Sequence, residues 1–264
     1  MNASLRSAGK TIFTIRWKPS VDLLAVAVSW LLVVGALYTA TVIIGAEAGG
    51  GIPYFLLYAI LGAAIFGIGI PVFWMRVVRK RPLSDLGITS RLLGLSLALQ
   101  LIFAGVQWFG GLAGTALPGR DNLIPLLALA LAIGFFEAVF WRGWVLLRLE
   151  EAFGLIPAIL LGSALYAAYH IGYGMGVDEM VFLFFIGILF AVTFRLTGSI
   201  FVLWPVFQPM GQLITLIKDG LELPLLASLG FSEALIAMLA LVWLAGKLER
   251  RRGNVGIRGN FLGG

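Results

Sequence analysis

Phe136-Glu137-Ala138-Val139-Phe140-Trp141-Arg142-Gly143 decides how this chain is read, because it sets a carboxylate and a guanidinium inside a segment that is otherwise apolar. An ionisable side chain at the centre of a bilayer helix costs roughly 2.5–3.5 kcal/mol on insertion scales, so it marks a functional candidate and needs a partner. Five residues separate Glu137 from Arg142, about 140° of rotation on an ideal helix, so each is expected to seek partners on other helices. The bland reading is a structural polar clamp inside a bundle.

Outward from this stretch the chain keeps the same character. Of 264 residues 60% are hydrophobic and only 12% charged, and the mean hydropathy is +1.01, far from a soluble domain. Apolar spans run at about 23–45, 54–77, 92–113, 123–147, 155–174, 180–196, 199–217 and 231–246. Most are long enough to cross a hydrocarbon core of about 30 Å. The expected fold is therefore an all-α, polytopic integral membrane bundle of about eight transmembrane helices. Residues 1–22 read as a basic tail, 23–248 as a single domain with the candidate site in 123–217, and 249–264 as a flexible basic tail. No cleavable signal peptide is expected, since the basic leader precedes a span too long for one.

The net charge of +6 does not point to nucleic acid, because the cations lie in short loops between spans, where they set topology. With eight spans, all of the 19 Lys and Arg except Arg120 and Lys218 fall on one side, while Asp121, Asp178, Glu179, Asp219 and Glu222 gather on the other. Both termini are thus expected to be cytoplasmic. The compact size suggests a prokaryotic plasma membrane.

With no cysteine and a single histidine, His170, disulfides, thiolate metal sites, a Cys nucleophile and two-His zinc motifs are excluded. Metal-independent chemistry without a cofactor is the expectation. His170 follows Tyr166 by four residues, on one helix face; alone, it reads as a packed histidine near a helix end. In Trp204-Pro205-Val206-Phe207-Gln208-Pro209-Met210-Gly211-Gln212 two glutamines share a face, and two prolines remove backbone donors. Irregular backbone at membrane depth is tolerated where it lines a cavity or is buried in protein. The glutamines could equally join helices, a contribution of perhaps ~0.6 kcal/mol per bond.

These three constellations, in this order and on separate spans, resemble the CAAX protease and bacteriocin-processing family of intramembrane glutamate proteases, with its EExxxR, FxxxH and HxxxN motifs. Glu137 to Arg142 is similar to the first, Tyr166 to His170 to the second, and the approach through Arg195-Leu196-Thr197-Gly198-Ser199 to the third. The resemblance covers roughly 125–213. It implies an intramembrane endopeptidase that cleaves a hydrophobic or lipidated peptide, with Glu137 as general base, His170 as its partner, Gln208 and Gln212 as oxyanion and substrate donors, and Arg142 and Tyr166 in support. The chain departs from the pattern at Ala138, where the family has a second Glu, and at Gln208 and Gln212, where it has His and Asn. Those departures keep a second reading open, a catalytically degenerate relative that binds or scaffolds another membrane protein. A small-molecule transporter is the third, although the chain lacks the internal repeat that transporters commonly show.

Overall fold

The fold, a computed structural model, is described for residues 14–46 and 51–260, the last ten as backbone alone. Residues 1–13 of the basic tail, the expected break at 47–50 and residues 261–264 lie outside the described residues. The bundle is all-α. Among the described residues seven helices are long and apolar enough to cross a membrane: α1 Val21–Ile43, α2 Ile52–Val78, α3 Leu93–Gly111, α4 Arg120–Phe153, α5 Leu155–Tyr173, α6 Val177–Thr197 and the first part of the last helix, Ala227–Arg250. A shorter helix, α7 Phe207–Lys218, precedes that last helix, α8, which continues to Asn260 across the stretch read as the start of a flexible tail.

The count of eight transmembrane helices is corrected here. The segment expected as an unbroken seventh span is a turn at Ile200–Val202, a cis Trp204–Pro205 bond and the 12-residue α7, about 18 Å long at helical rise. Pro205 and Pro209 are the physical cause, since neither can donate to the helical ladder. The broken backbone is still served. Val206 N–H donates to Gln100 Oε1 of α3 at 2.9 Å, and Trp204 Nε1 donates to the Leu131 carbonyl of α4 at 3.1 Å. The last helix also begins at Ala227, ahead of the expected start at 231.

Both ends of the bundle are polar. At one, Arg79 and Trp74 hold the buried Asp22 of α1 at 3.1 and 2.6 Å. Nearby Arg81 pairs with Asp85 at 2.5 Å and Glu151 at 2.6 Å, Arg148 with Glu151 at 3.1 Å, and Arg195 with Glu150 at 3.2 Å. Hydrogen bonds to Glu151 and Asp85 raise the pKa of Arg81. At the other end, Asn122 bonds the backbone of Leu221 and Leu223. The broken segment runs from the first end to the second, so the chain traverses the bundle eight times. The start of α1 and the Glu249 end of α8 therefore meet at the same end, where Glu249 reaches Arg76.

α4 is the hub. Its apolar window is 72% buried against 17% for α3, and every residue from Gly134 to Leu146 is buried. Gly143 explains part of this closeness, because a Cβ there would lie 2.1 Å from the Leu86 carbonyl. Distant segments are tied to the hub and to each other through α1: Trp30 Nε1 donates to the Leu165 carbonyl at 3.1 Å, and Trp144 Nε1 to Ser29 Oγ at 3.0 Å. The outer faces carry exposed Leu, Ile, Val and Phe, the surface a helical membrane protein turns to lipid.

Candidate active site

Glu137 ends the regular part of α4, and from Ala138 to Leu146 the helix winds more widely, with i→i+5 hydrogen bonding. Such wide turns recur at functional sites. The winding also brings Arg142 nearer to the Glu137 side than ideal helical geometry implies. No ion pair within 4.0 Å joins the two among the described residues.

Three donors converge on one oxygen of the buried Glu137. Gln208 Nε2 donates to Oε2 at 2.6 Å, Gln212 Nε2 at 3.3 Å and the Tyr166 hydroxyl at 3.4 Å. None of these bonds uses Oε1. The break before α7 makes the approach possible: Gly134, one turn before Glu137, receives Pro209, whose Cγ would lie 2.7 Å from a Cβ at that position. A side chain there would push α7 and its two amides off the carboxylate.

Arg142 is as deeply buried as Glu137, yet its Nε, Nη1 and Nη2 have no hydrogen-bond partner among the described residues. Its guanidinium carbon lies 5.0 Å from the ring centre of Tyr166 and 5.7 Å from that of Phe190. Cation–π attraction of about 2 kcal/mol when desolvated offsets part of the burial cost. Tyr166 thus touches both charges, Glu137 with its hydroxyl and Arg142 with its face.

His170 opens the last turn of α5, and its Nδ1 bonds the Tyr166 carbonyl at 2.9 Å. With Nδ1 donating to that carbonyl, the neutral ring presents Nε2 as an acceptor. Its ring packs edge to face on Tyr166 and Tyr169, at 5.0 and 4.8 Å between centres. No hydrogen bond joins His170 to Glu137 among the described residues; Tyr166 stands between them. Of the sequence-derived set, the structure brings Glu137, Gln208, Gln212 and Tyr166 into direct contact, and sets His170 and Arg142 against Tyr166.

Sequence reasoning passed over Gln100, Gln107 and Phe190. Gln100 anchors the break through Val206, and Gln107 reaches α7 beside Gly211, where an added Cβ would lie 3.0 Å from its amide nitrogen. The signal was present: two amides seven residues apart on an apolar span, hence on one face. Among the described residues no group of three or more His, Cys, Asp or Glu could hold a metal.

Comparison with known proteins adds one finding. The family model described as type II CAAX prenyl endopeptidase Rce1-like matches residues 119–206. No curated protein and no solved structure matches the chain. The matched segment holds Glu137, Arg142, Tyr166 and His170 and stops just short of Gln208 and Gln212. The stretch that carries most of the site is therefore similar to the Rce1-like type II CAAX prenyl endopeptidases over about a third of the chain.

Proposed function

We propose that this integral membrane protein is an intramembrane endopeptidase that hydrolyses a hydrophobic or lipidated peptide with water activated by Glu137. The observation that carries the proposal is the division of labour on that carboxylate. Oε2 is held by three donors, which fixes the group and leaves Oε1 to accept a proton from water. General base catalysis asks for this kind of positioned acceptor. His170, oriented through Nδ1 by the Tyr166 carbonyl, offers Nε2 as a second acceptor for the same water. As the water oxygen bonds to the peptide carbonyl carbon, the carbonyl oxygen gains negative charge. Each glutamine amide has a second N–H beyond the one on Glu137, and that N–H is the donor for this oxyanion. The proton taken by Glu137 then passes to the leaving amine.

The distribution of Lys and Arg supports both termini being cytoplasmic, and the compact size supports a prokaryotic plasma membrane. The absence of cysteine makes the topology simple to test. A single cysteine replacing Arg81 should react with an impermeant maleimide only from the cytoplasmic side of sealed vesicles; reaction from the outside alone reverses the topology.

A second reading is favoured by Ala138 and by the satisfied state of Glu137. A carboxylate held by two glutamines and a tyrosine is also what a polar clamp in a non-catalytic binding protein needs. The deciding experiment is cleavage of membrane-tethered peptides by purified protein in proteoliposomes, wild type beside Glu137→Gln. Peptide binding without cleavage by either form would leave the binding protein as the answer.

A further inference from the structure

At the arginine-rich end of the bundle a cavity of about 320 Å³ opens between the 83–86 turn, the last turns of α4 and α6, and the extended strap that leads into α1. None of the residues that line it contacts Glu137. Its charge does not balance. The three carboxylates that line it, Asp85, Glu150 and Glu151, are already engaged by Arg81, Arg148 and Arg195. The fourth cation, Arg16, has no carboxylate within ion-pair distance among the described residues. Four guanidinium groups against three carboxylates leave one positive charge at the cavity.

The strap that carries Arg16 is fixed. Arg16 N–H donates to the Phe153 carbonyl at 3.0 Å and Lys18 N–H to Ala152 at 2.9 Å, so these two orphan carbonyls at the end of α4 hold the strap in register. The neighbours of Arg16, Ile15 and Trp17, are 77% and 79% exposed, and Trp17 also packs at a tilt on Phe153, 5.3 Å between ring centres. Exposed Trp beside cations at the helix ends is the composition of the membrane–water interface. Basic pockets between transmembrane helices at that depth suit lipid headgroups.

We propose that this cavity binds the phosphodiester of a membrane lipid, with Arg16 as the cation that meets it. The charge argues for the diester. A phosphodiester carries one negative charge and neutralises the excess, whereas free phosphate near neutral pH carries more and meets the surrounding carboxylates, which repel it. The remaining N–H groups of Arg195 and the Ser84 hydroxyl complete the donors that face the cavity.

The test uses the full chain in nanodiscs of phosphatidylglycerol diluted into a galactolipid that lacks phosphate. Lipid retained on the protein after release into detergent is measured by native mass spectrometry. Wild type should retain phosphatidylglycerol, Arg16→Ala should retain about tenfold less or lower still, and Arg16→Lys should keep most of it. Lys18→Ala, which alters charge on the same strap, should match wild type. Millimolar inorganic phosphate should leave retention unchanged; displacement of the lipid would overturn the lipid assignment in favour of a free anion. Equal retention by wild type, Arg16→Ala and Arg16→Glu would overturn the site. Arg16 is exposed, so the variants are expected to fold, and an unchanged melting temperature checks this.

Discussion

Glu137 and Arg142 sit on one helix, equally buried, and are treated in opposite ways. The carboxylate collects three hydrogen bonds from two other helices, all on one oxygen. The guanidinium collects none among the described residues, and lies instead over the rings of Tyr166 and Phe190. A hydrogen-bonded carboxylate is fixed in direction, which suits a group that must point an atom at a substrate. A cation over rings is held in place but not aimed, since ring attraction depends weakly on rotation about the stacking axis. The difference teaches that the polar organisation of the site is centred on Glu137, and that Arg142 belongs to its aromatic wall.

Substitutions on each side of this contrast test it. Glu137→Gln keeps the shape and removes the base, so cleavage should fall by about 10²–10⁴-fold; single-turnover assays in proteoliposomes would show it, and an unaffected rate removes Glu137 from the chemistry. Gln208→Leu removes the shortest of the three bonds and the proposed oxyanion donor together, with an expected loss of about 10²-fold. A change in KM alone would assign the amide to binding. On the other side, Arg142→Met replaces a buried cation without hydrogen-bond partners by a flexible apolar chain. Removing a buried cation relieves its desolvation cost, so denaturation in detergent should show no loss of stability. A clear loss would mean that Arg142 is held by charge after all. Tyr166→Phe is the mildest test, since it breaks one long bond of about 1 kcal/mol while keeping the ring under Arg142. Activity should drop less than about tenfold.

The fold was legible where composition alone controls it. Apolar length and the distribution of Lys and Arg locate the helices and the even number of traverses, because insertion into lipid is decided by local hydropathy and charge. The seventh span was the exception. Its prolines were visible and break the helix, but the partner that serves the broken backbone, Gln100 accepting from Val206, is a contact between helices that no local rule supplies. Within the site, the i, i+4 spacing of Gln208 and Gln212 foretold a shared face but not what that face meets. The expected Glu137–His170 partnership is not a direct bond in the structure, because Tyr166 lies one turn nearer along α5 and its hydroxyl reaches the carboxylate first. Ideal helical geometry also misled: the wide winding from Ala138 alters the angle that spacing implies.

The bond from Trp30 to the Leu165 carbonyl has a consequence for how the molecule is made. α1 leaves the ribosome before α5, and this acceptor is synthesised 135 residues later. Trp144, which donates to Ser29 of α1, also follows long after. The Trp30 indole must therefore wait in the bilayer without this acceptor until α5 arrives beside it, so closure of the bundle around α1 follows the synthesis of α5.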